Sequence, residues 1–149
     1  MKTKMKYEKA RLVDFVKEAY PMMVKNNDEV NVYNEKLDLD FEAYFESEQA
    51  GVIHSFTLRD NDNELIGYSI FLVSNMGHHK SVIYAYQDVI YVNPKYRICG
   101  IKFIRYTEKE LKKLGVDVVL HGCPNDSRIG GVLERLGYNE IEKIYGRRL

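Results

Sequence analysis

The chain has 149 residues, of which 45% are hydrophobic and 30% are charged, and this balance predicts one globular domain covering residues 1–149. Its 22 basic and 22 acidic residues give a formal net charge of zero. This argues against a nucleic-acid partner bound through a broad positive surface and against a membrane partner, and no apolar run approaches the roughly 20 residues of a membrane span.

The N-terminal part begins with a basic segment, Met1–Lys6, that no apolar segment follows, so no signal peptide is predicted. A short strand is predicted at Tyr7–Leu12 and a helix at about Val13–Val24. We expect Pro21 to kink or end that helix, because proline lacks the N–H that a helix interior uses. Lys25–Lys36 is polar and rich in asparagine, which predicts a loop.

The middle of the chain predicts a second helix followed by three antiparallel strands. Asp38 or Asp40 is positioned to cap this helix, and Gly51 is positioned to end it. The turn Asp60–Asn63 favours a hairpin between the first two strands, and a second polar turn precedes the third. The three strand patterns cover Val52–Leu58, Leu65–Val73 and Ser81–Val92.

The C-terminal half predicts a βαβ unit. An amphipathic helix runs from Gly100 to Gly115, with Glu108 in its apolar stripe, either reaching water at the edge or buried near a site. The strand at Val116–Leu120 should then lie parallel to the strand before the helix, with a right-handed crossover. A further helix and one or two closing strands are predicted at Ser127–Leu136 and Tyr138–Leu149. The sum is an α/β fold, a mixed central sheet of six or seven strands with about four helices.

The most informative segment is Val89–Lys102, an apolar strand and a proline turn that lead into the long helix. Backbone N–H groups that lack partners at a helix N-terminus bind anions. Arg97 adds a fixed positive charge, and Gly100 lets the backbone come close to a ligand. The pattern predicts a cofactor that carries a pyrophosphate.

This segment resembles the signature of the GNAT superfamily of acyl-CoA-dependent N-acyltransferases. In that signature an apolar-x-Val strand end and a proline turn precede Arg/Gln-x-x-Gly-x-Gly/Ala, and the chain reads Ile90-Tyr91-Val92, Pro94 and Arg97-Ile98-Cys99-Gly100-Ile101-Lys102. The segment Leu133-Glu134-Arg135-Leu136-Gly137-Tyr138 is similar to the Tyr-Glu-Lys-Leu-Gly-Phe of the family. The resemblance implies a GNAT-like fold and acetyl-CoA as co-substrate.

The resemblance also implies which residues contact the cofactor. Ile90 and Val92, with Tyr91 between them, would pair through their backbone with the pantetheine arm like an added strand. Arg97 would lie at the start of a loop whose backbone N–H groups hold the pyrophosphate, at Ile98, Cys99, Gly100, Ile101 and Lys102. Asn125 or Asp126 matches the asparagine that precedes the next helix in the family.

Two positions depart from the family pattern. Lys102 stands where the family has Gly or Ala, so its side chain would either crowd the phosphates or point outward and add a positive charge. Leu133 stands where many members have a tyrosine that protonates the departing thiolate, and a leucine has no proton to donate. The alternative acids are His121, Ser127 and Tyr145, and a structural role remains open for each.

Catalysis would also need a general base near the end of the fourth strand. In a strand that alternates regularly, Tyr86, Asp88, Ile90 and Val92 share one face. Asp88 is the carboxylate among them and is the candidate base, with a structural carboxylate as the alternative. Tyr86 lies where some family members have a catalytic glutamate, and packing or substrate contact is its alternative role.

No metal site is predicted, because the adjacent His78 and His79 would point to opposite faces of a strand. The two cysteines, Cys99 and Cys123, lack metal-ligand spacing and are too few for a disulfide framework. They are expected to be inert thiols, with a redox pair as the alternative. Such cysteine usage favours a cytoplasmic protein.

Together these features predict an N-acetyltransferase that moves an acetyl group from acetyl-CoA to a primary amine by direct transfer in a ternary complex. The amine, on a small molecule or a protein, would enter between the Lys25–Lys36 loop, the second helix and the C-terminal strands. Acidic residues there would suit an amine: Asp28, Glu29 and Glu35. The alternative is a non-catalytic GNAT-fold binding or structural protein, and a homodimer through the C-terminal strands is also open.

Overall fold

The structure is a computed structural model that describes residues 4–125 and 127–149. In these residues five strands form one sheet in the order β1-β2-β3-β4-β5. The strands are β1 Lys6–Ala10, β2 Ile53–Arg59, β3 Leu65–Met76, β4 His79–Val92 and β5 Val118–Leu120. The helices are α1 Leu12–Val30, α2 Phe41–Gln49, a short 3₁₀ helix Pro94–Cys99, α3 Gly100–Lys113 and α4 Ile129–Arg135.

The sheet is mixed, as the sequence predicts. The first four strands pair antiparallel in chain order, and β4 and β5 pair parallel. Helix α3 connects these two parallel strands, so the predicted βαβ unit is confirmed. The hairpin turn between β2 and β3 contains Asn63 at a φ of 64°, a conformation that asparagine tolerates well.

Apolar side chains fill both faces of the sheet. The core that includes α1 is formed by Leu12, Phe15, Val16, Ala19, Met23, Ile53, Leu65, Tyr68, Ile70 and Tyr91. The core that includes α3 is formed by Phe56, Leu58, Ile66, Phe71, Ala85, Val92, Phe103, Leu111 and Val116. Strands β1–β4 therefore have one set of side chains in the α1 core and another in the α3 core, and this division decides which face a site residue can reach.

Helix α1 continues past Pro21, so the expectation that this residue ends the helix is wrong. The segment up to Val30 is helical, and the loop before α2 is therefore shorter than predicted. Proline in a helix interior costs about 3 kcal/mol, whereas each large apolar side chain that becomes buried contributes roughly 1.5–3 kcal/mol. Buried Phe15, Val16 and Met23 therefore outweigh the hydrogen bond that Pro21 cannot make.

The pairing of β3 with β4 contains a bulge at Asp88. Ile70 pairs with Val89 and Phe71 pairs with Gln87, so Asp88 is an extra residue in β4. A bulge interrupts the alternation of side chains between the two faces. Ile90 and Val92 pack with the α3 core, whereas Asp88 lines a cavity on the α1 side, so the expectation that these residues share one face is wrong.

The C-terminal residues Tyr138–Leu149 contain no strand, so the predicted closing strands are wrong and the sheet has five strands rather than six or seven in the described residues. Several apolar side chains there are exposed: Ile141, Ile144, Tyr145 and Leu149. Arg148 donates to the carbonyl of Tyr33 over 3.0 Å and pairs with the carboxylate of Glu35. The tail thus contacts the loop between α1 and α2. None of the helices in residues 4–125 and 127–149 has the length and apolar character needed to cross a membrane.

Candidate active site

Strands β4 and β5 pair over only three residues each, and the last pair is Tyr86 with Leu120. Beyond this pair β4 and the segment that follows β5 separate. The outer edge of β4 from Gln87 to Val92 has no strand partner within the described residues. We call the space between this edge and His121–Cys123 the β4–β5 gap. Its free backbone groups are available to an extended ligand that lies along the strand.

Gln87 spans the start of the β4–β5 gap. Its Nε2 donates to the carbonyl of Gly122 over 3.3 Å, and its Oε1 lies 2.6 Å from Nδ1 of His121. Because this amide oxygen only accepts, we assign the imidazole proton to Nδ1. The side chain of Tyr86 also reaches this point, since its hydroxyl lies 3.7 Å from where a Cβ on Gly122 would be.

His121 is packed between aromatic rings on the α3 side of the sheet. Its ring lies edge-on to Phe71 at 5.8 Å and to Tyr138 at 5.0 Å between centroids. Burial lowers the pKa of His121 to about 4, so the imidazole is neutral near pH 7. Its Nε2 is buried without a hydrogen-bond partner in the described part of the chain.

Glu108 is half-buried on α3, between the two roles predicted for it. Its Oε1 accepts a hydrogen bond of 2.6 Å from the hydroxyl of Tyr138, beside the ring of His121. Burial and this hydrogen bond raise the pKa of Tyr138 above its ordinary value. The phenol therefore holds its proton firmly and positions the Glu108 carboxylate near the ring of His121.

The predicted pyrophosphate loop is helical. Pro94–Cys99 forms a 3₁₀ helix that runs directly into α3, and the N–H of Gly100 donates to the carbonyl of Arg97. Gly100 has ordinary helical dihedrals of −58° and −39°, so its conformation does not require glycine. A Cβ at Gly100 would meet no described heavy atom within 4 Å, which leaves open space where a ligand could approach the backbone.

Arg97 points toward α1 rather than along α3. Its Nη2 lies 3.0 Å from both carboxylate oxygens of Glu29, and its Nε donates to the carbonyl of Val92 over 3.3 Å. Glu29 and Tyr91 also line an open cleft of about 500 Å³ between α1 and the end of β4. The guanidinium expected at the anion site is therefore engaged by a carboxylate.

The remaining predicted cofactor residues lie on the surface around the N-terminus of α3. Ile98 is 90% exposed and Ile101 is 36% exposed, which is unusual for large apolar side chains beside a helix N-terminus. Lys102 is exposed on the first turn of α3, and its role toward the phosphates stays a prediction. Asn125 is exposed after β5, and Asp126 lies outside the described residues.

On the α1 side, Asp88 accepts a hydrogen bond of 2.6 Å from the hydroxyl of Tyr44 in α2. Burial, and then this hydrogen bond, raise the pKa of Tyr44. Burial likewise raises the pKa of Tyr68, with Tyr91, Asp88 and Tyr44 close enough to add to the effect. Two neutral phenols therefore surround a carboxylate at the bulge in β4.

Asp88 and Tyr44 lie at the edge of a cavity of about 260 Å³, which we call the Asp88 cavity. Its polar residues are Asp88, Tyr44, Tyr68, Asn26 and Asn27, and the rest of its lining is apolar. The loop before α2 contributes Leu37 and Leu39 to its wall. The cavity and the β4–β5 gap meet β4 at neighbouring residues, because Asp88 faces one and Gln87 spans the other.

The candidate acids lie in different surroundings. His121 is beside the β4–β5 gap, whereas Tyr145 is 89% exposed on the C-terminal tail. The Oγ of Ser127 accepts from the N–H of Ile129 at the start of α4, which is a structural role. Leu133 is 6% exposed, so the family's tyrosine position is filled by a packed apolar side chain.

Both cysteines are free thiols in the structure. No group of three or more His, Cys, Asp or Glu side chains comes together to hold a metal ion in the parts of the chain that the structure describes. Sequence reasoning did not identify Gln87, Tyr44 or Tyr138 as site residues. Each acts through a partner at least 30 positions away, so no local pattern marks it.

Solved structures with the same arrangement are acetyltransferases. One is a ribosomal-protein-alanine N-acetyltransferase from Brucella melitensis, with 17% identity, coverage of 98% of this chain and 99% of that chain, and a TM-score of 0.71. The protein has the GNAT fold. An aminoglycoside acetyltransferase from an uncultured soil metagenomic sample, in complex with trehalose, has 15% identity, coverage of 97% and 96%, and a TM-score of 0.73.

A third structure with the GNAT fold is a predicted acetyltransferase with acetyl-CoA from Clostridium acetobutylicum. It has 15% identity, coverage of 97% of this chain and 96% of that chain, and a TM-score of 0.70. No protein-family profile and no curated protein sequence matches the chain. Structural similarity at identities this low establishes the fold. The activity depends on the residues of the site.

Proposed function

We propose that this protein is an N-acetyltransferase that moves an acetyl group from acetyl-CoA to a primary amine, by direct transfer in a ternary complex. The observation that carries the proposal is the bulge at Asp88. Because of it, Asp88 lines the cavity on the α1 side of the sheet, and the outer edge of β4 that follows borders the β4–β5 gap. A donor in the gap and an acceptor in the cavity would meet at one strand, and such proximity supplies much of the rate of acyl transfer.

The residues around the β4–β5 gap fit acetyl-CoA. The free backbone of Ile90–Val92 suits the amides of the pantetheine arm, and the open space over Gly100 suits a phosphate close to the start of α3. Exposed Ile98 offers apolar surface to the arm, and Lys102 adds a positive charge on the first turn. Acetyl-CoA in the Clostridium acetobutylicum structure of the same fold supports this choice of cofactor.

The acceptor amine must lose a proton to become a nucleophile, and Asp88 is the proposed general base. The hydroxyl of Tyr44 holds the carboxylate in place and leaves its other oxygen for the amine or for a water molecule. A backbone N–H of β4 is the proposed donor to the oxyanion that develops on the thioester carbonyl. Since Leu133 donates no proton, we propose that the thiolate is protonated through water that enters the β4–β5 gap.

Calorimetry with acetyl-CoA, followed by mass spectrometry of a primary-amine panel, tests the proposal. Asp88→Asn keeps an acceptor for the Tyr44 hydroxyl but removes the base, so kcat should fall by about 10²- to 10⁴-fold while the Kd for acetyl-CoA stays nearly unchanged. Glu42→Gln, which removes a carboxylate from the exposed side of α2, is the matched control. Wild-type turnover in Asp88→Asn would remove Asp88 as the base.

A second candidate function is a non-catalytic binding or structural role of the GNAT fold. It is favoured by the buried Leu133 in the place of an acid and by the Glu29 carboxylate that engages Arg97. The two candidates differ in a simple observation. Absence of acetyl-CoA binding at about millimolar concentration, a free energy of only about −4 kcal/mol, would contradict the enzyme and leave the second candidate.

A further inference from the structure

We propose that the Asp88 cavity selects small primary monoamines with an apolar body, and that it disfavours polyamines and polyhydroxylated amines. The acetylation of such an amine rests on the function proposed above, whereas its binding to the cavity does not. The charge, the lining and the size of the cavity each indicate this class of acceptor.

The charge of the cavity matches one ammonium group. Asp88 is the carboxylate among the described residues that line it, and no Lys, Arg or His is among them. Of the three carboxylates expected from the sequence to attract the acceptor, Glu29 pairs with Arg97 and Glu35 pairs with Arg148. The third, Asp28, lines the cleft between α1 and the end of β4 rather than this cavity. A polyamine in this cavity would leave its further ammonium groups buried without a counter-charge, which costs free energy.

The lining matches an apolar body. Beyond Asp88 the wall is formed mainly by Leu12, Val16, Met23, Leu37, Leu39 and Ile70. Of the four other polar side chains in the lining, Asn27 donates to the carbonyl of Glu35 and Tyr44 donates to Asp88. Few partners therefore remain for the hydroxyl groups of a sugar-like amine, which would lose their hydrogen bonds to water. The aromatic rings of Phe41, Tyr44 and Tyr68 also line the cavity and can stabilise a cationic head group over their faces.

The size of the cavity limits the acceptor further. Its volume of about 260 Å³ lies below the roughly 300 Å³ at which pockets for drug-sized ligands begin. An aliphatic or aryl-alkyl amine with one ring fits this volume. Phe41 and Val30 are among the lining residues and are themselves partly exposed, so the cavity opens to solvent on the side of α2.

The same lining favours the chemistry. Desolvation of an ammonium group lowers its pKa, so an apolar cavity shifts a bound amine toward its neutral, nucleophilic form. The nitrogen lone pair forms the C–N bond to the thioester carbonyl carbon, the C–S bond breaks, and its electron pair passes to sulfur. The original ammonium loses two protons, of which one leaves through Asp88 to solvent and the other is taken up by the thiolate.

Phenethylamine and spermidine test the selectivity. Binding is measured by calorimetry in the presence of CoA, and acetylation is measured by mass spectrometry with acetyl-CoA. We expect kcat/KM for phenethylamine to exceed that for spermidine by at least about tenfold, the range that apolar complementarity provides. Preference for spermidine or kanamycin, or failure of phenethylamine to bind, would overturn the inference even if acetyl transfer occurs.

A charge introduced into the wall of the Asp88 cavity tests whether the selectivity between amines arises in this cavity. Phe41 is 41% exposed at the first turn of α2, where a carboxylate is tolerated. In Phe41→Glu, the ratio of kcat/KM for phenethylamine to kcat/KM for spermidine should fall by at least about fivefold. In the neutral control Phe41→Gln, kcat/KM for phenethylamine should fall without a rise in kcat/KM for spermidine. An unchanged ratio in Phe41→Glu would contradict binding in this cavity.

Binding and acetylation measurements distinguish a failure of the proposed enzyme activity from a failure of the proposed monoamine site. If no acetyl product forms but phenethylamine still binds, and Asp88→Asn weakens that binding by about tenfold or more, the enzyme proposal fails and the monoamine site stands. If acetylated polyamines form and phenethylamine does not bind, the enzyme proposal stands and the monoamine site fails.

Discussion

Gln87 and His121 join β4 to the chain after β5 at the point where the two strands stop pairing, with 2.6 Å between Oε1 and Nδ1. The contact fixes how far the β4–β5 gap opens, because Gln87 also binds the carbonyl of Gly122. It depends on a neutral imidazole that donates from Nδ1. The width of the proposed cofactor site is therefore coupled to the protonation state of one buried histidine.

The first prediction concerns the pH dependence of stability. Burial lowers the pKa of His121 to about 4 in the folded protein, whereas a histidine in the unfolded chain has its ordinary pKa of 6.5. Between these values the unfolded chain binds a proton that the folded chain excludes, so stability falls as the pH falls and His121 contributes no slope above about pH 7. The free energy of unfolding in urea should drop by about 2 kcal/mol between pH 7 and pH 5 from this residue.

His121→Phe, which keeps a ring between Phe71 and Tyr138, should remove most of this loss of stability. Burial also lowers the pKa of His54, so a smaller slope should remain in the variant. His79→Gln, at the exposed start of β4, is the control and should keep the full pH dependence. An identical pH slope in wild type and His121→Phe would show that His121 is free to protonate in the folded protein.

The second prediction separates the fold from the cofactor site at Gly100. Gly100 has helical dihedrals and its Cβ position is open, so Gly100→Ala should raise the free energy of unfolding by up to about 1 kcal/mol. The same methyl group would lie where a phosphate is proposed to approach α3, and the Kd for acetyl-CoA should rise by about tenfold. Urea unfolding and calorimetry measure the two effects.

Gly131→Ala is the matched control for Gly100→Ala. Gly131 is in α4 and a Cβ there also meets no described atom within 4 Å, so the substitution should stabilise the protein without changing the Kd for acetyl-CoA. Unchanged acetyl-CoA affinity in Gly100→Ala would contradict the proposed position of the pyrophosphate.

The third prediction concerns the charge of Arg97. Glu29 engages this guanidinium, and both side chains are about half exposed, so the pair contributes little to stability. Glu29→Gln should free Arg97 for the pyrophosphate and tighten acetyl-CoA binding by about two- to fivefold, with a steeper dependence on salt. Arg97→Ala should weaken binding in calorimetry, and weaker binding in Glu29→Gln would mean that Arg97 does not serve the phosphates.

The fourth prediction concerns the contact between the C-terminal tail and the wall of the Asp88 cavity. Arg148 binds Glu35 and the carbonyl of Tyr33 in the loop that carries Leu37 and Leu39. Arg148→Ala should raise the KM for the amine by about threefold and leave the Kd for acetyl-CoA unchanged, because the contact is exposed. Hydrogen exchange should become faster in residues 32–39.

Arg147→Ala removes the neighbouring positive charge and serves as the control for Arg148→Ala. It should leave the KM for the amine, the Kd for acetyl-CoA and the hydrogen exchange of residues 32–39 as in the wild type. A rise in the Kd for acetyl-CoA in Arg148→Ala, without a change in KM for the amine, would show that the tail acts on the cofactor site instead.

The order of the elements was predictable from the sequence, because each signal is local. The turn at Asp60–Asn63 has residues that favour tight turns, and Asp40 caps α2 by accepting from the N–H of Ala43. The continuation of α1 through Pro21 was not predictable, since it depends on burial against β3 and β4. The closing strands predicted at Tyr138–Leu149 are absent from the described residues, because a strand needs a pairing partner that no local pattern specifies.

The position of the site was predictable and its geometry was not. Val92, Pro94, Arg97 and Gly100 form a local motif that marks the end of β4 and the start of α3. The face of Asp88 depends on a bulge, which shifts the alternation by one residue and is not marked in the sequence of β4. The pairs Tyr44–Asp88 and Gln87–His121 join distant residues, so they required the folded chain.

The bulge in β4 also bears on how such a site can be gained or lost. Asp88 is supernumerary in the pairing with β3, so its deletion would make Gln87 and Val89 consecutive and would restore a regular ladder. The sheet would remain intact while the proposed base disappeared. Deletion of a single codon would thus keep the scaffold and remove the proposed base. A descendant of this protein that only binds its ligands would need no other change to its framework.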